Sequence, residues 1–490
     1  MTVDRIALSL ISHTNAGKTT LARTLLGRDI GEVRDAPHVT LDATSHSLIG
    51  TAEGDELVLW DTPGFGDSAR LARRLGQQGN PIGWFLAQVW DRFRDRSFWF
   101  SQQAVRNVSE QADVVLYLVN ASEEPADAGY LVAELAVLEW IGKPVIVLLN
   151  QTGRPRPGAE EAAEQERWRS ALAGYRFVRS VLALDAFARC WVQEITLLRA
   201  VGGVLPAERT SAFGRLVTAW QLRREDQFDA AMTMLSEVLA RAAADSETLP
   251  ETRLKGALRE LGRAIGVSRD DGGGDRTRAV QALAARLDAN LRASMDRLLA
   301  IHALEGRAGP ELLGRMARTV TLAAPVDERK AALMGGALSG ALSGLGADLI
   351  AGGLTFGAGM LTGAVLGALG GAGIARGVNV ARGRLGTTLR WDDAFLCELV
   401  VALLLRYLAV AHYGRGRGEW RETESPSFWQ PLVTGVVAEN TAVLVTAWSG
   451  REAGPTASAV IAVRAKPVLA DVARHVLQRL YPGASAATGP

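Results

Sequence analysis

Apolar positions are organised in two ways along this chain. Up to Pro206 they gather into short β-compatible runs, and beyond it they recur at helical spacing. Residues 5–11 (RIALSLI), 56–60 (ELVLW), 113–119 (DVVLYLV), 144–149 (PVIVLL) and 179–184 (RSVLAL) read as buried strands. Helical stretches through TLARTLLG, ending at Gly27, and through LVAELAVLEWIG lie between them. Strands alternating with helices predict a mostly parallel sheet with helices on both faces, an α/β domain over residues 1–205.

In the second half, Val280, Leu283, Leu287, Leu291, Met295 and Leu298 form one apolar stripe behind the linker DDGGGD at 270–275. This predicts a helical domain over 206–330 and a helical C-terminal region over 377–490. Between them, residues 331–376 form a Gly/Ala/Leu-rich tract in which Asp348 is the only charge before Arg376. Gly336, Gly340 and Gly344 repeat every fourth residue, as do Gly359, Gly363, Gly367 and Gly371. That spacing lets two helices approach closely, the small-xxx-small device of membrane helix pairs. A bilayer core of ~30 Å needs ~20 helical residues, so the tract suits a two-pass hairpin turning near Asp348. Arg329, Lys330, Arg376, Arg382 and Arg384 flank it and would put both ends on the cytoplasmic side. The competing reading is a soluble glycine-rich hairpin within the helical domain. The apolar stretch at 391–418 is interrupted by Glu398 and Arg406 and reads as a buried core helix.

Composition changes this picture little. Lysine plus arginine (54) nearly balances aspartate plus glutamate (53), and the net charge of +1 gives no support for a nucleic acid or ribosome partner. Cys190 and Cys397 are far apart within apolar helical patterns, which suits packing residues in a reducing compartment. The apolar N-terminal run has no basic leader and flows into a loop motif, so it reads as a first strand, not a signal peptide.

The chemistry begins after that strand. Ser12-His13-Thr14-Asn15-Ala16-Gly17-Lys18-Thr19 opens a helix, the order of a phosphate loop. Backbone N–H groups from His13 to Thr20 would converge on the phosphates, Lys18 would neutralise β/γ charge, and the Thr19 hydroxyl would reach Mg²⁺. Ser12 stands where the first glycine of that motif is usual. The strand at 56–60 then runs into Asp61-Thr62-Pro63-Gly64. There Asp61 would hold Mg²⁺ through water and the Gly64 amide would sense the γ-phosphate. The polar stretch 28–47 lacks a sustained period and suits a switch segment. Thr40 is the first choice for its magnesium-binding threonine and Thr44 the second. Lys18, Thr40 and Gly64 are thus the catalytic candidates, and Thr19, Thr40 and Asp61 the metal ligands.

Two departures weaken base selection and hydrolysis. Where guanine-specific proteins read N-K-x-D, this chain has Asn150-Gln151-Thr152-Gly153, so the carboxylate that pairs with guanine is missing. Asn150 can still tie the loop together, and Asp185, after the last strand, either substitutes at the base or caps a helix. Phe65 follows Gly64 where some GTPases carry the glutamine that orients water, which a phenyl ring cannot do. His13, His38 and His46 are either alternatives for that task or solvated loop residues. Residues 67–111 form an insertion rich in Trp and Phe; Ile82, Leu86, Val89 and Phe93 fall at helical spacing. It reads as a helical hairpin packed on the domain, with a switch-driven lever or dimer contact as the alternative.

The segment TNAGKTTLARTLLG resembles the phosphate loop of the TrmE, Era and septin branch of small GTPases, and Thr40 falls where that branch has its switch threonine. The resemblance implies GTP and Mg²⁺ as ligands, and K⁺ held by Asn15, although Asn15 also suits a simple turn residue. Together with DTPGFGDS, LLNQTG and LALDAFARCW, the chain is similar to bacterial GTPases that carry a C-terminal domain of unknown function. Beyond the nucleotide motifs that resemblance implies a helical, membrane-attached domain with no established activity. With the slow turnover expected from Phe65 and the basic flanks of 331–376, the first reading is a GTP hydrolase acting as a regulatory switch at the cytoplasmic face of the inner membrane, in contact with lipid, a second copy or a protein effector. A nucleotide-binding scaffold and an ATPase are the other readings.

Overall fold

The first strand forms where a run of mainly aliphatic side chains follows a single exposed arginine, Arg5. In the computed structural model β1 is Arg5–Ser12, buried on both faces from Ile6 onward. The structure describes residues 4–13, 16–27, 44–62, 64–65, 67–76, 96–150, 158–184, 191–249, 272–304, 378–383, 386–412, 428–450 and 455–481. They fall into two compact units, one of residues 1–226, 411–426 and 480–490, the other of 227–410 and 427–479.

In the first unit the order is β1, α1 (Lys18–Leu26), β2 (Thr44–Gly50), β3 (Glu56–Asp61), α2 (Ser68–Gly76), α3 (Arg96–Gln111) and β4 (Val114–Asn120). There follow α4 (Leu131–Ile141), β5 (Val145–Asn150), α5 (Gly158–Leu172), β6 (Val178–Ala183), α6 (Trp191–Gly202) and the start of α7 (Ala207–Ala244). The sheet order is β2-β3-β1-β4-β5-β6. All neighbours are parallel except β2 and β3.

Strand alternation sorts the core into two layers. Val115, Tyr117 and Val119 of β4 face the layer that holds Leu71, Phe98, Leu138 and Trp168. Val114, Leu116 and Leu118 face the opposite layer, with Leu21, Leu198, Phe213 and Trp220. Both faces are therefore covered, as a parallel sheet requires. Leu71, Leu75, Phe98, Val105 and Val108 bring α2 and α3 into the first layer, so the ends of the expected insertion pack on the domain. The intervening residues 77–95, which include Ile82, Leu86, Val89 and Phe93, lie outside the described residues.

The start of α7 is fastened to the sheet by charge as well as packing. Arg215 Nε donates to Asp55 Oδ2 at 2.7 Å, in the turn between β2 and β3. Arg223 Nη1 donates to the carbonyl oxygen of Leu48 at 3.2 Å, where the β2–β3 register shifts between Ser47 and Ile49. Arg224 grips Glu194 of α6 with two hydrogen bonds of 2.9 and 2.8 Å. Trp220 Nε1 donates to the same carboxylate at 2.8 Å.

The second unit contains the rest of α7, β7 (Ser246–Leu249), α8 (Gly272–Ile301), β8 (Val378–Gly383), β9 (Gly386–Trp391), α9 (Asp393–Ala411), α10 (Trp429–Glu439), α11 (Thr441–Trp448) and most of α12 (Pro455–Leu480). It is predominantly helical, and the expected stripe Leu283, Leu287, Leu291, Met295 and Leu298 of α8 is buried. It also holds an antiparallel sheet of order β7-β9-β8, which the sequence pattern had not indicated. Residues 331–376, with their regularly spaced glycines, lie outside the described residues.

Helix α9 is long and apolar enough to cross a membrane. Over half of that span is buried within the protein, including Phe395, Leu399, Leu403 and Tyr407, as a core helix would be. Arg406 is buried with them; desolvation pushes its pKa down to about 10, while Asp288 acts to raise it.

Candidate functional site

The parallel strands deliver their C-terminal ends to one edge of the sheet, where a ligand site is expected in this architecture. Strand β1 ends at Ser12 and α1 begins at Lys18, so the phosphate loop joins a strand end to a helix N-terminus. Gly17 caps that helix at φ 89°, a left-handed conformation that glycine adopts without a Cβ clash. Ser12, in place of the usual glycine, has its hydroxyl 3.2 Å from Lys18 Nζ, and it donates to the carbonyl of His13. Burial lowers the pKa of Lys18, against the opposing charges of Asp61 and Glu134.

Asp61 arrives at the end of β3, where Thr19 Oγ1 donates to its Oδ2 at 2.9 Å. Its Oδ1 is buried and has no hydrogen-bond partner among the described residues. Burial raises the pKa of Asp61, opposed chiefly by Lys18 and Thr19. A hydroxyl and an unsatisfied carboxylate oxygen are hard donors of the kind Mg²⁺ takes, so the residues present fit that ion. Next in the chain, Thr62 donates to the carbonyl of Leu10, and the Phe65 amide donates to the Ser12 carbonyl at 3.4 Å. Gly64 is thereby held beside the phosphate loop, whereas the Phe65 ring is fully buried in the core.

Asn150, at the end of β5, donates from Nδ2 to the carbonyl of Ala16 at 2.7 Å. The contact joins the end of β5 to the phosphate loop. Thr20 is buried in α1, and its carbonyl accepts from the Thr24 hydroxyl. Thr14, Asn15, His38, Thr40, Gln151, Gly153 and Asp185 lie outside the described residues. His46, on β2, is near enough to Asp61 for its charge to act on that carboxylate. Among the described residues no group of three or more His, Cys, Asp or Glu side chains is arranged to hold a metal.

One part of the site was not anticipated. Glu134 of α4 is fully buried, and Tyr117 of β4 donates to its Oε2 at 2.7 Å. His13 Nδ1 lies 2.7 Å from Oε1 of the same carboxylate. The His13 ring also stacks on Tyr130, with centroids 4.1 Å apart and planes at 13°. Tyr130 in turn donates to Glu123 at 3.0 Å. Burial, reinforced by the adjacent carboxylates, raises the pKa of both tyrosines. Glu134 is one of two glutamates in the mainly apolar LVAELAVLEW, and nothing local in the sequence marks it, and not Glu139, as the buried one.

Comparison with known proteins agrees with the arrangement. Residues 8–151 match the family model described as 50S ribosome-binding GTPase. Residues 169–431, more than half the chain, match a second model, Domain of unknown function (DUF3482). The chain belongs to the DUF3482 family. Its N-terminal part is an Era-like small GTPase domain, a GTP-binding fold, and the DUF3482 domain follows it.

Among curated relatives, GTPase Der of Lacticaseibacillus casei is 29% identical over 150 residues, 30% of this chain and 27% of that protein. GTPase Der of Myxococcus xanthus is 28% identical over 193 residues, 38% of this chain and 33% of that protein. The chain thus spans about a third or less of the length of these relatives. Among solved structures, a point variant of Aquifex aeolicus Era bound to GDP·AlF₄⁻ aligns with a TM-score of 0.30 and 17% identity, covering 42% of this chain and 58% of that one.

Proposed function

We propose that this DUF3482 protein binds GTP with Mg²⁺ and hydrolyses it slowly to GDP and phosphate, as a regulatory switch. The observation that carries the reading is the meeting of Lys18, Thr19, Asp61 and Asn150 around one loop at the strand ends. In this reading Lys18 and the N–H groups of His13 to Thr20 bind the phosphates, while Thr19, Thr40 and water on Asp61 surround Mg²⁺. Bound Mg²⁺ would neutralise charge on the β- and γ-phosphates. Gly64 senses the γ-phosphate, and Asn150, Gln151 and Asp185 shape the base end. K⁺ at Asn15 is the further cation in this proposal.

The burial of Phe65 favours one alternative, a scaffold that binds nucleotide without turning it over. Membrane attachment at the cytoplasmic face of the inner membrane is proposed from the glycine spacing and basic flanks of residues 331–376. That the Der relatives carry GTPase in their names supports the activity; the balanced charge gives no separate support to an RNA or ribosome partner.

Purified chain assayed with labelled GTP and ATP, with and without K⁺, tests the proposal. Turnover of GTP that disappears in Lys18→Ala is expected. Tight binding without turnover supports the scaffold, and preference for ATP defeats the assignment of GTP.

A further inference from the structure

Resting on the regulatory GTPase reading above, we propose that strand β2 and helix α7 couple the nucleotide site to the helical second unit, with Arg223 on the carbonyl of Leu48 as the joint. The strand connects two places. Its first residue, Thr44, pairs with Asp61, the carboxylate proposed for the cation. Towards its other end the register shifts between Ser47 and Ile49, and Leu48, which has no counterpart in β3 there, gives its carbonyl to Arg223 Nη1 at 3.2 Å. A strand of 7 residues carries this connection over ~20 Å, at ~3.3 Å per residue. Further contacts make the joint firm. The Arg215–Asp55 ion pair of 2.7 Å holds α7 to the turn after β2. Leu48 shares one buried cluster with Phe213, Leu216 and Trp220 of α7, and the Arg223 guanidinium lies 4.3 Å from the centroid of the Trp220 ring.

Helix α7 carries the joint onward. It is one helix of 38 residues, and its residues from Gln227 belong to the second unit, where Phe228, Met232, Leu235 and Leu239 are buried. No glycine or proline stands between Arg215 and Ala244. A helix without such breaking points curves only gently, so no linker absorbs a displacement of its start. The bulge supplies the two arrangements that coupling needs. With the bulge at Leu48, the carbonyl belongs to Arg223; with the bulge moved along the strand, the ladder reclaims that carbonyl and Arg223 loses its acceptor. A nucleotide that fixes the Thr44 end of β2 against Asp61 holds the first arrangement and so steadies α7. The effect is mutual: whatever rearranges the second unit changes the affinity for GTP relative to GDP by the same factor.

The test uses the full chain with fluorescent GDP and a non-hydrolysable GTP analogue, in wild type, Arg223→Ala, Arg223→Lys and the double variant Glu225→Gly/Ala230→Gly. Hydrogen exchange over residues 44–50 and 231–244 is read beside both Kd values. In wild type, exchange over 231–244 should slow by at least ~5-fold when the GTP analogue replaces GDP. Arg223→Ala should abolish that difference and weaken the GTP analogue relative to GDP by a similar ~5-fold. Arg223→Lys, which keeps a donor, should restore part of both. The double variant places glycine at two exposed positions of α7 beyond the joint, and it should lose the change over 231–244 while keeping the one over 44–50. An equal loss of affinity for both nucleotides in Arg223→Ala marks a merely structural contact and overturns the proposal, as does a nucleotide-dependent change over 231–244 that survives it. A wild-type chain that binds neither nucleotide overturns the GTPase reading itself, whereas one that binds both with no change over 231–244 overturns only the coupling.

Discussion

Asn150 Nδ2 donates to the carbonyl oxygen of Ala16 at 2.7 Å, fastening the end of β5 to the phosphate loop. The side chain is fully buried, so its removal leaves a carbonyl without that donor. Asn150→Ala should cost about 1–2 kcal/mol of nucleotide binding, roughly tenfold in the Kd for GDP. Fluorescent-nucleotide titration checks this, and unchanged affinity would show that the loop keeps its shape without the tie.

Asp61 offers the counterpart for the cation. Its Oδ1, without a hydrogen-bond partner among the described residues, and the Thr19 hydroxyl are the donors proposed for the Mg²⁺ environment. Asp61→Ala should raise the Mg²⁺ concentration needed for half-maximal GTP binding by at least about tenfold, a loss of ~1.4 kcal/mol. Titration of Mg²⁺ at fixed nucleotide reads the effect, and coincident curves for the two proteins would remove Asp61 from the cation site.

Phe65 should matter for stability and not for water orientation. Phe65→Ala is expected to destabilise the first unit by about 3–5 kcal/mol, the range for deleting a buried phenyl. Phe65→Gln should not raise GTP turnover, because the position opens into the core beside Leu71 and Phe98. Denaturant melts and steady-state assays separate the two effects, and a faster Gln variant would contradict this placement.

Glu194 joins α6 to α7 through Arg224 and Trp220, and it is almost wholly buried. Glu194→Ala strands a mostly buried guanidinium and an indole N–H, so a loss of about 3 kcal/mol is expected. Chemical denaturation measures it. Arg224→Ala in the same background should add less than it does alone, because the two changes share one interaction.

The Asp55–Arg215 pair carries a pH signature. The hydrogen bond from Arg215 leads in holding the Asp55 carboxyl below the usual aspartate range. Its contribution is therefore present above that range and fades as pH falls through it towards the lowered folded value. Wild type should be more stable than Asp55→Asn near neutral pH, with the gap closing below pH ~4. Denaturation series at several pH values test this, and a gap that persists in acid would refute it.

How much of this was legible in the sequence follows from what each residue interacts with. The inner strands of the parallel sheet were visible because burial on both faces makes them continuous apolar runs, as in VVLYLV, whereas β6, at the other end of the sheet, has only Val181 buried. Strand β2, TSHSLIG, was hidden within a polar stretch, since a strand that pairs, among the described residues, with β3 alone alternates weakly and is bulged. The small sheet of the second unit was missed for a related reason: Thr387, Thr388 and Arg390 give β9 no apolar run, and its partner β7 lies more than a hundred residues earlier. Lys18, Thr19 and Asp61 were recognisable because local spacing specifies them. The Glu134–His13 contact spans 121 residues and depends on which strand neighbours which, information that no local pattern carries.

The bulge in β2 has a further consequence for assembly. Its unpaired position, Leu48, has its carbonyl taken by Arg223, and the strand occupies one end of the six-stranded sheet. A kinked border with an occupied acceptor is a poor template for an incoming strand. On that side, self-association through a continuous intermolecular sheet is disfavoured, and contacts between copies are left to helices and loops.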